Sequence, residues 1–419
     1  MEKGKKIWQS SSGGLHPLVE AFTVGDDYRL DGEVLLPYDV KASKAHAQML
    51  HSIGVLTQEE LDVLLGALGE ILTKWQEGEF KVLPEHEDGH TAIEEYITLK
   101  YGDVGKKIHT GRSRNDQSLV MLRLYMKDKL SELTSGVQQL ASLFENKGTE
   151  ASDVLMPGYT HMQKAMPTTV GLWLGSFACA LRDATIAMEA ATRQIDQNPL
   201  GSAAGFGISH LQLNRQMTTE ALGFERLQAN SLYCGFSRGY FENIVLQALS
   251  QCMIVMSRFA VDMMMFTQQE TAFFSLPDEF VTGSSIMPQK KNYDLFEIMR
   301  ANGRVYGSLQ QQVQQIVTGL GSGYHRDLQV TKKAFIEGVS LCSQSIELMH
   351  QIVPALRIHQ ERLRSAMTRE LYVTDEVYKH VANGMAFREA YQKVKAEFFA
   401  HTTANAKASA SDNGAAATH

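Results

Sequence analysis

Apolar residues in this chain recur at spacings of three and four, the period of a helix packed on one side. Leu130, Leu133, Val137, Leu140 and Phe144 step by 3, 4, 3 and 4. They place one stripe on a helix that reaches back toward Asp116. Thr57-Gln58-Glu59-Glu60 reads as a capping box, in which Glu60 can answer Thr57. It opens a helix over about 58–77 whose apolar positions are Leu61, Leu64, Leu65, Leu68 and Ile71. Further helices are predicted over about 39–54 and 90–100, the second after a polar stretch with Pro84 and Gly89. Longer patterns cover 169–195, 240–268, 296–318 and 331–352. Residues 240–268 are apolar on more than one face, as in a helix surrounded by protein. Strand-like alternation appears only in short pieces such as Phe80 to Leu83.

These patterns predict an all-α protein, an elongated central bundle of long helices with smaller helical end domains. The expected regions are a mainly helical N-terminal domain over 1–106 and the bundle over 107–355. A small helical domain over 356–402 follows, with helices at Val373 to Val381 and Phe387 to Phe399 broken by Asn383-Gly384. Residues 403–419, rich in Ala, Ser, Thr and Asn, are expected to be flexible. Helices apolar on several faces can bury one of them against another subunit, so oligomerisation is expected.

Composition narrows the picture. The 419 residues are 44% hydrophobic, ample for a large core, and the net charge of -7 lacks the basic field of a general nucleic-acid binder. Cys179, Cys234, Cys252 and Cys342 form no CxxC and suit neither a disulfide scaffold nor a thiolate zinc site. The basic residues of Met1-Glu2-Lys3-Gly4-Lys5-Lys6 precede no apolar run, so no secretory signal is expected. No 18-residue apolar stretch stands out and no membrane span is expected. A reduced, cytoplasmic setting fits all of this.

Three polar stretches interrupt the helical pattern. In His109-Thr110-Gly111-Arg112-Ser113-Arg114-Asn115-Asp116-Gln117, two arginines offer forked donors to carboxylates, and Ser113 and Asn115 add neutral hydrogen bonds. A salt-bridged surface helix start is the plain alternative. In the second, Pro157 and Pro167 bracket Thr160, His161, Gln163 and Lys164. A histidine held there can exchange a proton near neutral pH, or simply be structural. The third runs Gly283-Ser284-Ser285-Ile286-Met287-Pro288-Gln289-Lys290-Lys291-Asn292, with Glu297 on the next helix, where it could reach His161. Lys290 and Asn292 can stabilise a developing oxyanion, and Ser284 can act as a base if its proton is withdrawn. A structural linker or a phosphate-type anion loop is the alternative. Together the parts suggest proton abstraction beside a carboxylate of a dicarboxylate-like substrate, then elimination. The dense patch His86, Glu87, Asp88 and His90 lacks a recognised metal spacing, and no metal or cofactor is expected.

These stretches resemble the three signature regions of the fumarase/aspartase superfamily. Residues 109–117 and 158–163 resemble argininosuccinate lyase in particular, over about residues 15–400. Lys106-Lys107, Asn198-Pro199-Leu200-Gly201-Ser202 and Gly323-Tyr324-His325-Arg326-Asp327-Leu328-Gln329 add to the likeness. The resemblance implies a fumarase/aspartase-like fold and a homotetramer whose active sites each draw on three subunits. It implies reversible, cofactor-free cleavage of argininosuccinate to fumarate and arginine, in arginine biosynthesis. Ser284 matches the base, Lys290 and Asn292 the residues that hold the aci-carboxylate, and His161, paired with Glu297, a proton carrier for the leaving nitrogen. Ser113, Asn115 and Thr160 match substrate-carboxylate contacts, Tyr324, Gln329 and Lys332 match contacts near the arginine or succinyl end, and His90 falls near the first-region substrate residues. Arg112, Arg114 and Gln163 join them as substrate-binding candidates by their own chemistry. The chain departs from the pattern at Tyr293, where proline is usual, at Val330-Thr331, and at Gly239, where aspartate is common. Two alternatives are a related C–N lyase acting on another N-substituted aspartate, such as adenylosuccinate, and a crystallin-like structural protein without activity.

Overall fold

The computed structural model describes residues 16–400. The Ser/Gly-rich sequence at Ser10 to Gly14 and the tail at 403–419 lie outside the described residues. The principal helices are α1 (Leu36–Ser52), α2 (Gln58–Gln76), α3 (Gly89–Tyr101), α4 (Arg114–Glu150), α5 (Val170–Ile195), α6 (Tyr240–Phe266), α7 (Asp294–Val317), α8 (Thr331–Ala355) and α9 (Val373–Ala382). Residues 387–400 form α10. The long-helix, all-α reading is therefore realised. The capping box is present: Glu60 N donates to Thr57 Oγ1 at 3.2 Å, and Thr57 N donates to Glu60 Oε2 at 3.0 Å.

The chain divides into two compact units, each assembled from separate segments. The first takes the described residues up to Leu140, Ala180–Arg258 and Ile298–Met349; the second takes Ala141–Cys179, Phe259–Glu297 and the described residues from His350. The division falls within the long helices rather than between consecutive stretches of sequence. In the first unit, Val40, Leu50, Leu64, Leu68, Ile93 and Ile97 pack α1, α2 and α3 into one buried cluster. In the second, Trp173 stacks on Phe274 with centroids 4.9 Å apart, and its Nε1 donates to Asp262 Oδ2 at 2.9 Å. Val377, Ala390 and Val394 make a small separate cluster between α9 and α10.

Two expectations are corrected. Phe80 to Leu83 is not a strand; it runs as irregular chain into a short 3₁₀ turn at Pro84–His86. α6 is long and apolar enough, by length and composition, to cross a membrane. Half of its apolar window is buried, which is also the signature of a bundle's core helix.

Among the described residues, β-structure is confined to two-stranded pieces and one isolated bridge between Thr282 and Asn292. The largest is the hairpin β1 (Leu155–Thr160) and β2 (Gln163–Thr169), which the helical reading did not anticipate. A π-helical turn at Asp31–Leu35 precedes α1. Gly239 sits at φ +72°, and a side chain there would lie 2.3 Å from Val317 Cγ1. An aspartate at 239 would have neither the backbone nor the space.

Candidate active site

In the first unit, α4 starts where Asp116 collects backbone donors. Its Oδ1 accepts from Ser113 N at 2.8 Å, and its Oδ2 accepts from Gly201 N and Ala203 N at 2.9 and 3.1 Å. The carboxyl is fully buried, and burial pushes its pKa up to about 6 against the pull of those N–H groups. Asp116 thus ties the first polar stretch to the Asn198–Ser202 segment.

Around this anchor the predicted residues separate. Arg112 does not present its fork to a ligand: it is buried, with Nη1 on Ser43 Oγ at 2.9 Å and Nη2 on the Ile108 carbonyl at 2.8 Å. Arg114 instead pairs with Glu87 at 2.8 Å and faces Asp88 at 3.4 Å. Ser113 Oγ accepts from the Asn115 backbone N at 3.3 Å, and the Asn115 side-chain amide has no hydrogen bond among the described residues. Arg114, Asn115, Ser118, Tyr324 and Gln329 line one cavity of about 190 Å³. Gln329 Nε2 donates to the carbonyls of Thr23 and Val24, at 2.9 and 3.2 Å.

Lys332 is not free for a substrate in this arrangement. It is buried, and its ammonium donates to Asp27 Oδ2 at 2.9 Å and Asp31 Oδ1 at 2.6 Å. Burial alone would lower its pKa, but the two carboxylates outweigh that and hold it protonated. His90 is buried as well, with Nδ1 on Asp39 Oδ2 at 2.5 Å. The His86–His90 patch therefore resolves into separate tasks. Asp88 caps α3 by accepting from Thr91 N at 2.8 Å, Glu87 holds Arg114, and His86 faces Glu95 at 3.5 Å.

The second unit carries the other two stretches. Thr160 pairs with Gln163 across the hairpin, so His161 and Met162 form its two-residue turn. Both have positive φ, 53° and 62°, the signature of a type I′ turn made without glycine or asparagine. Thr160, His161 and Gln163 are exposed at this tip.

The loop of residues 283–291 is closed by reciprocal backbone bonds between Thr282 and Asn292, at 3.0 and 2.9 Å. Ser284 Oγ accepts from Ile286 N at 3.3 Å and Met287 N at 3.1 Å. Asn292 Nδ2 donates to the Gly283 carbonyl at 3.4 Å, while Lys291 is drawn off to Asp278 at 2.5 Å. Among the described residues, Lys290 and Glu297 have no side-chain ion pair, and Glu297 does not reach His161 within one chain. Tyr293 does not delay the helix: Phe296 N bonds the Tyr293 carbonyl at 3.0 Å and α7 begins at Asp294.

Sequence reasoning passed over Asp27, Asp31, Asp39 and Ser118. The partners of the three aspartates lie up to 305 residues away, so no local pattern marked them. Ser118 sits one turn beyond Arg114 on α4, where a helical projection would have placed it.

A family model described as Lyase matches residues 17–307. The argininosuccinate lyase of Parabacteroides distasonis is 42% identical over 390 residues, covering 93% of this chain and 87% of that protein. That of Thermotoga neapolitana is 40% identical over 394 residues, covering 94% of this chain and 98% of the relative. Among solved structures, an EDDS lyase in complex with formate superposes with a TM-score of 0.78 at 24% identity, over 94% of this chain and 78% of that one. That likeness establishes the shared fold. By its near-complete match at this level of identity, the chain belongs to the argininosuccinate lyase family, within the fumarase/aspartase superfamily.

Proposed function

We propose that the protein cleaves argininosuccinate to fumarate and arginine by a reversible β-elimination. The observation that carries this reading is the 42% identity over 93% of the chain to an argininosuccinate lyase. Ser284 takes the Cβ proton of the succinyl group. The electron pair left behind spreads into the adjacent carboxylate as a dianionic aci-form, held by the Lys290 ammonium and the Asn292 amide. The pair then returns to form the Cα–Cβ double bond as the Cα–N bond breaks. His161, oriented by Glu297, supplies the proton that the leaving guanidino nitrogen needs. Thr160, Gln163, Ser113, Asn115, Tyr324 and Gln329 bind the substrate, with the arginine portion in the cavity beside Arg114.

His161 and Glu297 lack one another within a single chain, which supports a homotetramer with sites shared between subunits. Exposed apolar residues on the long helices support the same assembly. Cys252 and Cys342, whose sulfurs lie 3.6 Å apart as free thiols, support a reducing cytoplasmic setting. The test is to incubate the protein separately with argininosuccinate, adenylosuccinate, aspartate and malate, following fumarate absorbance. Fumarate from another of these and none from argininosuccinate would sink the assignment.

A further inference from the structure

One wall of the cavity in the first unit is backed by a buried relay. Asp39 Oδ2 meets His90 Nδ1 at 2.5 Å, and His90 Nε2 meets Ser118 Oγ at 3.4 Å. The far oxygen of Asp39 accepts from Ser43 Oγ at 3.3 Å, and Ser43 in turn accepts from Arg112 at 2.9 Å. Asp39 and His90 are 1% and 5% exposed, whereas Ser118 is half-buried and opens on the cavity.

The geometry fixes the proton on Nδ1, because a carboxylate can only accept. Nε2 then has two states. In the neutral ring it accepts the Ser118 hydroxyl proton, and Ser118 turns a lone pair toward the cavity. In the imidazolium it donates to Ser118 Oγ, and the hydroxyl proton points at the ligand. Of the charged groups along the cavity, Arg114 is engaged with Glu87 and Asp88, Asp27 with Lys332 and Arg238 with Glu242, while Arg326 donates to the Thr23 carbonyl at 3.0 Å and keeps its charge for a carboxylate. An incoming carboxylate therefore meets the Arg326 guanidinium together with the Asn115 amide, the Tyr324 hydroxyl and Ser118, whose remaining hydrogen-bonding capacity is set by His90.

We propose that Ser118 is a specificity-determining contact for the carboxylate of the arginine portion, and that Asp39 and His90 position its hydroxyl as a donor. This rests on the proposed placement of that portion in the cavity. The charged and titratable groups around the ring are Asp39 on α1, Asp31 in the π turn and Asp88 at the head of α3. His109 faces it from the chain before α4, and Arg114 on α4 is paired with Glu87 and Asp88. Burial opposes the charged ring, but the three aspartates outweigh it and raise the His90 pKa. His109 is pushed down to about 4, by burial first and then by Arg112, and stays neutral near pH 7. The donor state of Ser118 therefore extends upward in pH and is lost as His90 deprotonates.

The experiment compares wild type, Ser118→Ala and Ser118→Thr in argininosuccinate cleavage, measuring KM and kcat across the histidine titration range. Ser118→Ala is expected to raise KM about ten-fold with kcat within a few-fold, the scale of one hydrogen bond to a charged group. It should also flatten the rise of KM with pH. Ser118→Thr, which keeps the hydroxyl, should restore both the KM and its pH dependence. Wild-type turnover with a superimposable Ser118→Ala profile would overturn this inference alone. Absence of fumarate from the wild-type protein would overturn the placement of the arginine portion, and this inference with it.

Discussion

A serine hydroxyl is a poor carbon base unless something stabilises its alkoxide. Ser284 Oγ already accepts two backbone N–H groups, from Ile286 and Met287, and hydrogen bonds to a charged form favour that form. Ser284→Ala should therefore lower kcat on the order of 10³-fold, with subunit assembly unchanged. Turnover within a few-fold of wild type would refute the role. Asp116 supplies a second test at this scale. Its folded pKa of about 6 lies above the ordinary 3.8, so the folded state binds the proton more tightly than the unfolded chain. That contribution is fully present below about pH 4 and is lost as pH rises through about 6, a change of roughly 3 kcal/mol. Asp116→Asn removes the titration. The stability gap between wild type and this variant, from urea melts, should narrow from pH 4 to pH 6.5 or so. A gap that does not change would show that Asp116 titrates normally.

The helices were legible because burial repeats at short range: Leu61, Leu64, Leu68 and Ile71 announce α2 and are all buried. The β1–β2 hairpin was not legible. Pro157 and Pro167 read as loop punctuation, yet they are register partners across the two strands. The turn gave no Asn-Gly or Asp-Gly signal, because its two left-handed positions are filled by His161 and Met162. The same concealment applies to Lys332, a substrate candidate by resemblance, whose two aspartates lie about three hundred residues earlier. Catalytic types in the polar stretches could be read from sequence; which of them are spent on internal partners could not. A side chain held at positive φ costs about 1 kcal/mol or more, and here that cost serves to present His161 at an exposed tip. Met162→Gly removes the steric part of it. The variant should be as stable as wild type or up to about 1 kcal/mol more stable, with kcat retained. His161→Asn, which suits the same backbone, should instead lower kcat on the order of 10²-fold or more. If His161→Asn changed only KM, the proton-carrier role would be wrong.

At the scale of the molecule, the sequence showed that α6 has more than one apolar face but not which face the fold would leave open. The structure leaves seams that repeat every seven residues. On α5 the seam is Leu172, Cys179 and Ile186; on α6 it is Ile254 and Val261; on α7 it is Ile298 and Val305. Leu172, Ile186 and Ile298 are 71, 62 and 60% exposed, which a lone chain would have little reason to maintain. A seven-residue repeat is the period at which helices wind together with left-handed, knobs-into-holes packing. These seams are the natural surfaces for the proposed homotetramer. Ile254→Glu puts a carboxylate into the α6 seam of every copy at once, because symmetry repeats the substitution. The position is exposed in the single chain, so the helix should still form, as circular dichroism can verify. Sedimentation velocity should then show smaller species, and fumarate release should fall with the loss of tetramer. Raising protein concentration should recover both together. An Ile254→Glu protein that remains a tetramer would remove this seam from the interface, and one that dissociates yet keeps full activity would show that each chain completes its own site.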